Sequence, residues 1–146
     1  MGFIADYASD DEIIRFRLQE IWEEYFPRYK GKFWHGKRPS FVIDRQNDIF
    51  LILISTGSMG EPLWANFLLY WKGSHIQCRL RIGEGSSKNF NDDPYVRIWE
   101  LVEMRVPSAL LIEEGVVKCK LKEALVAFGN EGVHNQRPNT VVKFRF

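Results

Sequence analysis

HIQCRLRI, residues 75–82, decides the fold. Ile76, Cys78, Leu80 and Ile82 alternate with His75, Gln77, Arg79 and Arg81. Successive side chains of a strand point to opposite faces, so this stretch has one apolar face and one polar, largely cationic face. Such a strand needs cover on the apolar side only and meets water on the other.

The neighbouring segments extend the sheet. Trp64 to Trp71 leads into it through Lys72-Gly73-Ser74, a Gly-containing hairpin loop. Before that, Phe41 to Asp44 and Ile49 to Ser55 flank the polar turn Arg45-Gln46-Asn47-Asp48. Four strands with short links read as an antiparallel meander. IFLILIS, residues 49–55, is apolar at almost every position and predicts a central strand covered on both faces.

YVRIWELVEMRV, residues 95–106, carries two periods at once. Asp93-Pro94 resembles a helix start, and Tyr95, Ile98, Trp99 and Val102 fit a helical stripe. Val96, Ile98, Val102, Met104 and Val106 instead fall on alternate positions, interrupted at Glu100. The β-branched content favours a strand. TVVKFRF, residues 140–146, predicts a last strand with Val142, Phe144 and Phe146 inward and Val141, Lys143 and Arg145 outward.

Two helices are expected. Ser9-Asp10-Asp11-Glu12 is a capping box opening a helix from Asp10 to Tyr25, with Ile14, Leu18, Ile21, Trp22 and Tyr25 as its apolar stripe and Pro27 as its stop. Leu121, Ala124, Leu125 and Phe128 define the second, with Gly129 as its C-cap. The expected fold is α+β, one domain over residues 1–146, with an antiparallel sheet of five or six strands and both helices packed on one face.

Composition bounds the function. The chain has 146 residues, 45% hydrophobic and 27% charged, which is one globular domain able to bury a core. Its net charge of +1 gives no global argument for nucleic acid. Two cysteines, Cys78 and Cys119, lack metal or disulfide-framework spacing. MGFIADYASDDE lacks the pattern of a signal peptide, and no stretch is long and apolar enough to span a bilayer. A cytoplasmic protein without membrane partners is expected.

No chemical motif stands out. His35, His75 and His134 fall outside any catalytic or metal-binding spacing. Residues 55–60, STGSMG, lack the nucleophile-elbow pattern, and residues 83–88, GEGSSK, lack phosphate-loop spacing. Glu23-Glu24 and Asp92-Asp93 read as solvated charge and caps. We expect no catalytic residue, no cofactor and no metal.

Charge distribution says more. Residues 1–26 hold seven acids against two arginines, and residues 27–45 hold six cations against one acid. The exposed strand faces add Arg79, Arg81, Lys143 and Arg145. A face of Gln77, Arg79, Arg81, Arg97 and Trp99 is the candidate binding surface for a protein partner, because Arg and Trp dominate such interfaces. Two other readings fit the same residues. Charge on exposed strands blocks edge pairing. Cations interleaved with rings also suit single-stranded nucleic acid.

The order of elements is similar to that of the small immunity proteins of bacterial polymorphic and contact-dependent inhibition toxin systems. The likeness lies in size, an acidic capped helix, an antiparallel sheet, and LKEALVAFGNEG (121–132) leading to VKFRF (142–146). It implies a stoichiometric inhibitor that binds a cognate toxin domain and has no chemistry of its own. It transfers no functional residue. Immunity proteins to nucleases are often strongly acidic and this chain is near neutral, which implies a mixed or acidic toxin face.

Overall fold

The computed structural model describes residues 3, 8–26, 40–57, 63–84, 96–131 and 141–146. The helices are α1 (Asp10–Arg15), α2 (Leu18–Tyr25) and α3 (Glu114–Glu131), the last entered through a 3-10 segment, Ser108–Glu113. The strands are β1 (Phe41–Asp44), β2 (Ile49–Gly57), β3 (Leu63–Trp71), β4 (Ser74–Glu84), β5 (Val96–Arg105) and β6 (Val141–Arg145). They form one sheet in chain order. Every pair is antiparallel except β5 with β6, which is parallel because α3 lies between them in the chain. The α+β class, the six strands and the early and late helices follow the sequence expectation. The ambiguous stretch 95–106 supplies a strand.

Turn chemistry sets the register. Lys72 and Gly73 both have positive φ, at 48° and 76°, as a two-residue hairpin turn requires. In the β1–β2 turn, Asp44 accepts from the Gln46 and Asn47 amides at 3.1 and 3.2 Å, and Asp48 closes the loop at φ 54°.

The sheet is covered on both sides, and here the structure corrects the expectation that both helices share one face. Val42, Leu51, Phe67, Ile76, Leu80 and Trp99 pack with Leu121, Leu125 and Phe128 of α3. The alternate residues Ile43, Phe50, Ile52 and Leu68 pack with Phe16, Leu18, Ile21 and Trp22 of the N-terminal helices. The reason is local. β4 is apolar on one side, but β1, β2 and β3 are apolar on both and require two covers.

The expected helix over 10–25 is broken in two. The Ser9–Glu12 capping box forms, but Phe16 leaves the helix and Arg17 adopts a left-handed conformation (φ 53°, ψ 44°). Phe16 is fully buried, stacked on Phe50 at 5.6 Å and edge-on to Tyr70 at 4.9 Å. The break re-phases the apolar stripe, so Ile14 is 77% exposed and Phe16 takes the inward place. Two smaller corrections follow. Gly129 lies inside α3, which continues to Glu131. Phe146 lies beyond β6 and stays about half exposed, while Val142 and Phe144 pack on the core.

Candidate functional site

The helical cover is unequal on the two faces. α1 and α2 lie over β1, β2 and β3. Beyond them the same face of β4, β5 and β6 carries Gln77, Arg79, Arg81, Glu103, Arg105, Lys143 and Arg145, all exposed, and Glu100, half-buried. Strand alternation puts these on the side opposite Trp99 and Leu80. At the boundary of this cover the end of α2 is bonded to β4. Gln77 Nε2 donates to the Tyr25 hydroxyl at the end of α2, at 2.7 Å.

Of the residues the sequence singled out, Gln77, Arg79 and Arg81 share this open face. Trp99 and Arg97 do not. Trp99 is 2% exposed beneath α3, against Phe67, Phe128 and Phe144. Its indole Nε1 is buried with no hydrogen-bond partner among the described residues. Arg97 alternates with it onto the α3 side. The interruption at Glu100 has a structural basis. A bulge at Val102 changes the parity of β5, so Glu100 and Glu103 both face outward, opposite Arg81 and Arg79. The nucleotide-loop candidate 83–88, the basic connector 27–40, and His35 and His134 lie largely or wholly outside the described residues.

The open face combines two ion pairs with cations that have no carboxylate partner among the described residues. Arg81 donates to Glu100 at 2.6 Å. Arg105 Nε donates to Glu103 at 2.6 Å. Arg79 Nε donates to Asn66 Oδ1 at 2.9 Å, Asn66 Nδ2 donates to the Ser55 hydroxyl at 3.1 Å, and the Arg79 guanidinium lies 5.9 Å from the Trp64 ring centre. Five cations still stand against two carboxylates. The hydrogen bond and charge of Arg105 hold Glu103 below the usual carboxylate range, so it is ionised at neutral pH.

Two hollows flank the Tyr25–Gln77 bond. One, of about 260 Å³, is bordered by Tyr25, Asn66, Gln77, Arg79, Glu103 and Arg105. The other, of about 130 Å³, is bordered by Glu20, Glu24 and His75. The face therefore changes sign across Tyr25. Burial raises the Tyr25 pKa, as does the nearby Glu24, so its hydroxyl keeps its proton. Sequence reasoning missed Glu100, Glu103, Arg105 and Tyr25. The glutamates and Arg105 were hidden by the bulge, and Tyr25 was assigned to the core stripe.

Among the described residues no cluster of His, Cys, Asp and Glu has the composition of a metal site, and no helix is long and apolar enough to cross a membrane. No known protein family, curated protein or solved structure matches the chain.

Proposed function

We propose that this chain is a non-enzymatic protein-binding module, an immunity or inhibitor protein that neutralises a cognate bacterial toxin by stoichiometric binding. The open half of the sheet is its binding face. The observation that carries the reading is the unequal cover: among the described residues α2 ends at Tyr25, and a hydrogen-bonded array of exposed Arg, Glu, Gln and Asn side chains continues past it. Side chains anchored on a sheet lose little freedom on binding, which favours recognition. The change of sign across Tyr25 matches the mixed or acidic toxin face that the family resemblance implies.

Single-stranded nucleic acid is the weaker reading. Trp99 is withdrawn from the face, and Glu100 and Glu103 would oppose a phosphate backbone.

The test is calorimetry with the product of the neighbouring reading frame, if that frame encodes a toxin-like domain. A one-to-one complex is expected. Replacing Arg79 and Arg81 together with Ala should weaken it by roughly 2–5 kcal/mol, mainly through faster dissociation. Unchanged affinity would remove this face as the interface. Tight oligonucleotide binding that collapses between low and physiological salt would favour the nucleic-acid reading.

A further inference from the structure

We infer that the 260 Å³ hollow beside Tyr25 is a seat for one carboxylate side chain of the protein partner, an inference that rests on the binding-face reading above. Arg79 and Arg105 both border it, and each is anchored through Nε alone: Arg79 on Asn66 at 2.9 Å, Arg105 on Glu103 at 2.6 Å. Each bond holds one edge of its guanidinium. The Nη nitrogens of both are left without a hydrogen-bond partner among the described residues. A carboxylate has two coplanar acceptor oxygens and matches the end of such a fork.

Charge selects the ligand further. Two guanidiniums face one resident carboxylate, Glu103, which stays ionised beside Arg105. The hollow lacks one negative charge, which an Asp or Glu side chain supplies. A phosphomonoester carries close to two negative charges and would bring an excess against Glu103. On the other side of the Tyr25–Gln77 bond, Glu20 and Glu24 border the second hollow and repel an anion. The favourable position is thereby confined to the Arg79–Arg105 side.

The probe is N-acetylglutamate N-methylamide, a glutamate side chain with a blocked backbone, titrated into the nitrogen-15-labelled protein. The Arg Nε–H and Gln77 side-chain amide resonances are followed. Saturable shifts at Arg79, Arg105 and Gln77 are expected, with a midpoint of roughly 1 mM or weaker for so small a ligand. Arg79→Gln and Arg105→Gln should each weaken binding by about tenfold, and Arg15→Gln, on α1 and away from this face, should leave it unchanged. Arg79→Lys should recover the charge but only part of the affinity, since it lacks the fork. Shifts that rise linearly without saturation, shifts of equal size at Arg15, or tighter binding of inorganic phosphate at the same resonances would overturn the seat. Its failure is separable from that of the binding-face reading. A toxin complex weakened by the Arg79/Arg81 double variant, in a protein that shows no saturable carboxylate binding, retains the face and discards the seat.

Discussion

Glu12 accepts from both Nε and Nη2 of Arg45, at 2.7 and 3.0 Å, across 33 residues of chain. The same carboxylate accepts from the Ser9 amide at 3.0 Å and completes the cap of α1. One nearly buried side chain thus ties the first helix to the β1–β2 turn. Burial alone would raise its pKa, but Arg45 and Ser9 more than offset this and hold it below the ordinary value. Stability from this group is therefore present above the unfolded Glu range and is lost as pH falls through the lowered folded value. Glu12→Ala should cost about 1–3 kcal/mol, read from urea unfolding at neutral pH, since Arg45 is partly solvated. Glu12→Gln should cost less and should flatten the loss of stability in the acid range. An unchanged acid profile in that variant would exclude Glu12 as its source.

The break at Arg17 makes a contrast between neighbours. Ile14 is largely exposed and Phe16 fully buried. Ile14→Ser should change stability by no more than about 0.5 kcal/mol, whereas Phe16→Ala should cost about 3–5 kcal/mol. Thermal melts of the two variants check this. A continuous helix over 10–25 with Ile14 inward would reverse the order.

His75 titrates against the fold. Its Nε2–H donates to the Phe16 carbonyl at 2.9 Å, and burial lowers its pKa, with Arg17 adding to the effect. The unfolded chain then takes up the proton more readily than the folded one. Stability contributed at this site is complete above the ordinary His range and declines as pH falls below it. Stability curves from about pH 7 to pH 5 should slope downward in the wild type and less so in His75→Gln. Equal slopes would refute the assignment.

At the β3–β4 turn, Gly73 holds a φ of 76°, in the region that favours glycine. Gly73→Ala should cost about 1 kcal/mol although open space surrounds the position, because the cost lies in backbone conformation and not in crowding. A shift in the urea midpoint at constant slope would register it.

Legibility in the sequence followed periodicity. The alternation in 75–82 and the capping box at Ser9–Glu12 are local patterns, and both appear in place. The break at Phe16 and Arg17 left no such trace, because it is imposed by Phe50, Tyr70 and His75, residues distant in the chain. The face of Trp99 was misjudged for a related reason. One extra residue at Val102 inverts the alternation on β5, and a bulge has no side-chain signature of its own. The cationic stretch was visible, while its carboxylate counterparts emerged only from cross-strand register.

The parallel pairing of β6 gives its contacts with β5 a longer chain separation than the hairpin contacts of the sheet. β1–β2 and β3–β4 meet across short turns, so their contacts close early. β6 reaches β5 only after 35 intervening residues that include α3, so its docking waits for the helix. Until then β5 is an unpaired edge, and the Trp99 ring lacks the edge-on contact of Phe144 at 5.7 Å. A chain in which β6 is undocked offers the bare edge of β5 to other chains, the kind of edge that favours aggregation.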